Sequence, residues 1–177
     1  IDISMTDCVA SLNSMAASAS LAGQTPQAPE QGMLNGASFY DYYETKDGRY
    51  FSVGSLEPQF MAGLAAALEL PLLLAKGTSF DPEDRQAVKQ ALQEKFKSQD
   101  FVVWQQLFKT LDICVEPVLS LDEALVSPIA EQRGWVVDVP LSENSEQTEA
   151  QLACPIKFSR SQIKYAFIGQ GLGEGKW

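Results

Sequence analysis

The chain has 177 residues, 45% of them hydrophobic, and a formal net charge of −10. That length supports one or two compact domains with a real core, and the charge argues against nucleic acid and against an anionic membrane surface. Histidine is missing from the composition, which excludes Ser-His-Asp and Cys-His catalysis and histidine metal sites within this polypeptide.

The first expected element is a helix from Ile1 to Leu21, with Ser4 and Asp7 as a capping-box-like pair. Met5, Cys8, Val9, Leu12 and Met15 share one of its faces at three- and four-residue spacing. The opening Ile1-Asp2-Ile3-Ser4 reads as cut from something longer. A linker follows from Gly23 to Gly32, with Pro26, Pro29 and the glutamines Gln24, Gln27 and Gln31.

The aromatic run Phe39, Tyr40, Tyr42, Tyr43, the pair Asp47-Gly48 and the segment Tyr50 to Val53 predict a β-hairpin. The turn needs positive φ, which glycine accepts without a Cβ clash. Pro58 suits the first position of a helix running to about Leu70, with Phe60, Met61, Leu64, Ala65 and Leu68 inward and Pro71 as its stop. Glu57 is then a carboxylate at a strand-to-helix junction, beside the helix's positive end. It reads either as a cap or as a working acid.

Asp81-Pro82 opens a further helix with Ala87, Val88, Ala91, Leu92 and Phe96 inward, and with Glu83, Arg85, Lys89 and Lys97 on a solvated face. Asp100 is expected to cap the next helix, whose core face is Val103, Trp104, Leu107 and Phe108. A short strand covers Cys114 to Leu119, Ser120 and Glu123 form a capping box, and Ser127-Pro128 begins a short helix closed by Gly134. Trp135 to Leu141 alternates as a strand, Ser142 to Gln151 reads as an exposed acidic loop, and Leu152 to Phe158 as a returning strand. The tail Gly169 to Trp177 fails both the dinucleotide and the Walker A spacings and reads as flexible.

No apolar run approaches the roughly 20 residues of a membrane span. Cys8, Cys114 and Cys154 are far apart, with no Cys-x-x-Cys pattern for a metal and no disulfide framework. With no basic-then-apolar leader, the expected setting is cytoplasmic and reducing.

Leu34-Asn35-Gly36, Phe39-Tyr40-Asp41, Asp47-Gly48-Arg49-Tyr50 and the run Val53-Gly54-Ser55-Leu56-Glu57-Pro58-Gln59-Phe60 form a recognisable set. Further pieces lie at Asp112 to Val118, Glu123-Ala124, Ser127-Pro128, Arg133-Gly134 and Pro155 to Ser159. Together they resemble the family III CoA-transferase group (CaiB/BaiF type), and within it the α-methylacyl-CoA racemases. One glycine of the family's Leu-x-Gly-Gly run is missing, and Gly173-Glu174-Gly175 stands where the family has Gly-Glu-His.

The resemblance implies an α+β fold, a small antiparallel sheet with packed helices flanked by linker segments. Residues 1–31 would be a linker helix and a Pro/Gln-rich linker, 32–141 the small domain, and 142–177 an acidic loop and a return toward an absent, larger Rossmann-like domain. It further implies an interlocked homodimer. The implied activity is that of an isomerase of lipid metabolism, which inverts the 2-methyl centre of acyl-CoA thioesters by α-proton exchange. Coenzyme A enters only as part of the substrate, with no separate cofactor. The family's histidine and aspartate bases lie upstream of the segment that Ile1 matches, so the chain alone is expected to be inactive.

Glu57 would be the catalytic carboxylate that hydrogen-bonds the histidine. Tyr40 would face the acyl cavity, and Met33, Leu34 and Leu56 would lie on an adaptable apolar surface for the acyl chain. From the residues alone, Tyr40 reads equally as sheet packing and the three apolar residues as core. A family III CoA-transferase working through an aspartyl nucleophile, and a non-catalytic binding or dimerisation module, are the competing readings. The Glu57 carboxylate favours the racemase, because transferases have no need for it.

Overall fold

The computed structural model describes residues 3–25, 28, 32, 34 and 36–169. Met33, Pro26, Pro29 and the tail beyond Gly169 lie outside these residues. The chain divides into two compact units, Ile1–Val118 and Leu119–Trp177.

The first unit begins with two helices, α1 (Met5–Leu12) and α2 (Ser14–Leu21), where the sequence predicts one. Ser4 Oγ accepts the Asp7 N–H at 3.3 Å, as the cap requires. Asn13 then interrupts the run, its Nδ2 donating to the Val9 carbonyl at 3.0 Å. Asparagine offers the backbone such local alternatives to the helix ladder. The predicted apolar face is exposed, with Met5 at 84% and Leu12 at 85%.

The sheet of this unit has the order β1-β2-β3, all antiparallel, from β1 (Asp41–Glu44), β2 (Tyr50–Val53) and β3 (Val115–Pro117). In the β1–β2 turn, Gly48 N–H bonds the Thr45 carbonyl at 3.0 Å and Thr45 N–H bonds the Arg49 carbonyl at 2.7 Å. Gly48 alone in the turn has positive φ, +79°, the pattern of a three-residue hairpin loop closed by a glycine bulge.

Asp47 has a longer-range task. Its Oδ1 accepts the Thr45 hydroxyl at 2.6 Å and the Phe101 N–H at 3.0 Å. It thereby serves the start of α6 (Phe101–Phe108), where Asp100 makes no side-chain cap. The turn reaches that helix because Lys46 N–H bonds the Gln99 carbonyl at 3.0 Å. The Thr45 hydroxyl first, then the Phe101 N–H and the Arg49 charge, hold the Asp47 carboxyl below its usual value, against a smaller desolvation effect.

Helix α3 (Pro58–Ala67) buries Met61, Leu64 and Ala65, and Leu68 follows them inward. Pro71 does more than stop it. Glu69 turns the chain at φ +51°, and Pro71 opens α4 (Pro71–Lys76) as its first residue, a role its missing N–H permits. Asp81 caps α5 (Pro82–Phe96), accepting the Glu83 N–H at 2.8 Å. Helix α6 turns Phe101, Trp104 and Phe108 inward, whereas Val103 and Leu107, expected inside, are 44% and 38% exposed. The i, i+3, i+7 aromatic set prevails over the aliphatic neighbours because it meets other rings. Phe51 lies 4.8 Å from Phe101 and 5.5 Å from Phe108 between centroids, and Phe96 lies 5.5 Å from Trp104.

In the second unit, Ser120 and Glu123 form the reciprocal capping box of α7 (Leu121–Leu125), at 3.2 and 2.9 Å. Ser127 caps α8 (Pro128–Arg133), and Gly134 ends it at φ +58°. Strand β4 (Val136–Pro140) pairs antiparallel with β5 (Thr148–Leu152). Strand β5 thus begins inside the stretch predicted to be an acidic loop and ends where the returning strand was expected to start. Its residues are mostly exposed, so pairing rather than apolar burial makes it a strand and no alternation marks it. No helix among the described residues is long and apolar enough to cross a membrane.

Two variants test this core. Phe96→Ala removes a side chain with no exposed surface and is expected to cost about 3–5 kcal/mol in urea unfolding. Asp47→Asn keeps the acceptor oxygen but removes the charge. A lowered folded-state pKa stabilises above the unfolded value and is lost as pH falls through the folded one. The stability advantage of wild type over Asp47→Asn should therefore be present at neutral pH and vanish on acidification below about pH 4, followed by melting temperature.

Candidate active site

Strand β2 runs into Gly54, whose N–H bonds the Cys114 carbonyl at 2.7 Å, and Leu56 N–H turns back to the Gly54 carbonyl at 2.8 Å. Glu57 occupies the N-cap position of α3 in an extended conformation, φ −67°, ψ 141°, with Pro58 next. Its side chain makes no cap hydrogen bond and the residue is exposed. The capping alternative for Glu57 is thus not what the side chain does. The carboxylate stands near Cys114, where local desolvation and then the charges of Glu57, Asp112 and Glu116 push the thiol up from its ordinary value.

Ser55, between Gly54 and Leu56, is fully buried, and its hydroxyl has no hydrogen-bond partner among the described residues. Such an orphan costs about 1–3 kcal/mol. No sequence pattern marks this residue.

Leu34 and Tyr40 meet at one cavity of about 360 Å³, together with Gly36, Asp41, Ser52 and Lys89. Tyr40 is 38% exposed and Leu34 54% exposed, so neither is core. The Tyr40 ring edge would stand 3.2 Å from a Cβ at position 54, which fits glycine there. Leu56 is half-buried, and neither it nor Glu57 lines this cavity. Met33 lies outside the described residues.

Lys89, predicted on a solvated face, is instead a tie. Its Nζ sits 2.6 Å from Asp41 Oδ2 and 2.8 Å from the Gly36 carbonyl. It joins α5 to β1 and to the loop that carries Leu34. Its spacing on α5 suited the solvated face, because both partners come from far away in sequence. Among the described residues no group of three or more Cys, Asp or Glu is arranged to hold a metal ion.

Residues 1–169 match the family model described as CoA-transferase family III. The chain belongs to CoA-transferase family III. The α-methylacyl-CoA racemase of Mus musculus is 37% identical over 129 residues, covering 71% of this chain and 33% of the mouse protein. The human α-methylacyl-CoA racemase is 37% identical over 108 residues, 59% of this chain and 27% of its own. The chain therefore spans about a third or less of the curated relatives it matches.

Among solved structures, a CaiB/BaiF family protein from Brucella suis superposes with TM-score 0.67 at 21% identity, covering 98% of this chain and 45% of that one. An orthorhombic crystal structure of a protein from M. tuberculosis gives TM-score 0.66 at 15% identity, covering 90% and 41%. These likenesses carry the fold: mixed helices and small antiparallel sheets of the family III type.

Lys89→Met keeps the aliphatic stem but removes the tie between α5, Asp41 and Gly36. A part-buried ion pair of this kind is worth about 1 kcal/mol. Amide exchange at Ala37, Ser38 and Phe39 should quicken by roughly fivefold, while amides of α3 keep their protection.

Proposed function

We propose that this chain is part of an α-methylacyl-CoA racemase, in which Glu57 orients and charges the catalytic imidazole during α-proton exchange on a 2-methylacyl-CoA. The observation that carries the reading is the 37% identity to two α-methylacyl-CoA racemases. A second supports it: Glu57 sits where a cap belongs, yet its carboxylate does not cap.

The chemistry is consistent with that placement. A carboxylate beside a helix N-terminus is stabilised as the anion. Hydrogen-bonded to one nitrogen of an imidazole, it fixes the tautomer and favours the protonated ring. The imidazole then takes the α-proton as the thioester becomes an enolate. A second base returns a proton to the opposite face and inverts the centre. This chain has no histidine, so on this reading the imidazole and the opposing aspartate belong to the rest of the protein, and the 177-residue chain alone exchanges nothing.

The same proposal extends to the substrate surface and to assembly. Tyr40 and Leu34, which share a cavity, would border the acyl chain, and Leu56 and Met33 would belong to the same adaptable apolar surface. Residues 1–31 would be a linker, and 142–177, which carries β5, would be the return toward a larger Rossmann-like domain in a cytoplasmic homodimer. The exposed Met5, Val9, Leu12 and Met15 on α1 and α2 suit such a linker, since these side chains find no cover among the described residues. Coenzyme A would arrive with the substrate and no other cofactor is required. The family's name also admits CoA transfer, but a transfer through an aspartyl nucleophile would give Glu57 no task.

In the intact parent protein, Glu57→Gln removes the charge that stabilises an imidazolium. A charge-assisted hydrogen bond is worth about 1.5–3 kcal/mol, so α-deuterium incorporation in deuterated water should fall roughly ten- to hundredfold. The melting temperature should not move, because no cap is lost. Exchange at the wild-type rate would remove Glu57 from the active site. Exchange by the 177-residue chain alone would place the bases within it.

A further inference from the structure

The second unit has a cavity that the proposed racemase chemistry does not use. It lies at the open end of the β4–β5 hairpin, where Ala153 N–H bonds the Trp135 carbonyl at 2.8 Å. Its volume is about 380 Å³, and its lining includes Trp135, Leu152, Cys154 and Pro155 together with Arg133 and Lys157. Cys154 is held in the wall by its backbone N–H, which donates to the Tyr165 hydroxyl at 2.8 Å.

Two features of the lining bear on what this cavity could take. Large apolar surface remains open, Trp135 at 40% and Leu152 at 70% exposure. Two cations line the same cavity in a chain of net charge −10, and neither forms an ion pair among the described residues. An apolar cleft of a few hundred cubic ångströms with a few convergent polar groups is the usual form of a small-molecule site. An indole face attracts flat apolar groups, and guanidinium and ammonium groups select a carboxylate or sulfonate.

We propose that this cavity binds a small amphipathic monoanion, with a flat apolar body against Trp135 and Leu152 and its acid group at Arg133 and Lys157. A carboxylate-free analogue of the same body should bind less well. So should the same anion at high salt, because exposed charges are screened there.

The test uses the 177-residue chain and naphthalene-2-carboxylate as the probe. Equilibrium dialysis should show one saturable site, with 2-naphthalenemethanol and 1 M salt (Debye length about 3 Å) each weakening uptake. Replacing an exposed cation should cost up to about fivefold, so Arg133→Gln with Lys157→Gln should weaken binding more than either alone. Lys157→Gln lies outside every helix and strand and keeps the test decisive should the double variant misfold. In parallel, the probe should slow iodoacetamide alkylation of Cys154, mapped by mass, while exposed Cys8 and Cys114 react as before. No saturable uptake, or uptake with Cys154 unprotected, would overturn the site. Equal binding of the alcohol, or undiminished binding by the Lys157→Gln chain, would overturn the anion assignment.

Discussion

Phe96 sits where the sheet, α5 and α6 of the first unit converge, and the rest of that unit depends on it. Its ring stacks on Tyr43 of β1 at 5.3 Å and 19° and lies 6.0 Å from Phe51 of β2 and 5.9 Å from Phe108 of α6. Its carbonyl accepts the Trp104 indole N–H at 2.8 Å. A sheet whose strands are three or four residues long has little stability of its own. It persists because one face is covered by rings, each pair worth about 0.5–1.5 kcal/mol beyond plain burial. The Tyr43 hydroxyl, deep in that cluster, donates to the Phe39 carbonyl at 2.8 Å, and burial raises its pKa far above the ordinary phenol value.

That packing also sets the candidate site. Stacking Phe96 on Tyr43 fixes α5 against β1, which brings Lys89, two turns earlier on the helix, onto Asp41. The same strand carries the chain back through Tyr40 toward Leu34, so core packing and cavity wall are two faces of one arrangement. On the other side, β2 delivers Gly54 to Cys114 and the chain reaches Glu57 four residues after Val53. Helix α3 then packs so close to the strand approach that a Cβ at Gly63 would come within 2.8 Å of Ile113. Glu57 is thus held at a junction whose two sides are both anchored.

Elements carrying their own start signals were legible in the sequence. The hairpin with Asp47-Gly48, the Asp81-Pro82 helix, the Ser120–Glu123 box and the Ser127–Gly134 helix all form as their local chemistry dictates. The departures share another cause, a partner remote in sequence. Asp47 and Asp100 are equivalent acceptors on paper, and only the docking of the turn on Gln99 decides which serves α6. Lys89 looks solvated until Asp41 arrives, and β5 is a strand only because β4 lies beside it. The break at Asn13 and the new helix at Pro71 are local ambiguities, since asparagine both caps and interrupts and proline both ends and begins. Of the site, only the oddity of a glutamate before Pro58 was readable from the residues. The meeting of Leu34 and Tyr40, and the buried Ser55 hydroxyl, needed the third dimension.

The oddity at Glu57 bears on function through what the other helix starts do. Ser4, Asp81, Ser120 and Ser127 each cap with their own side chains, and these are residue types that favour the task. Glutamate is not, and at α3 the bond is not made. A good cap there would add about 0.5–2 kcal/mol, so the position gives up stability that a serine could supply. Asn13, Leu70 and Asp100 also make no side-chain cap at α2, α4 and α6, but Asp47 serves α6 in place of Asp100, and Leu70 is half-buried and contributes by packing. Glu57 contributes neither a cap nor buried surface. What remains is a charge presented to solvent, beside a helix terminus that favours it and next to a thiol whose ionisation it opposes. On the proposed racemase reading, that charge is presented to an imidazole that comes from outside this chain.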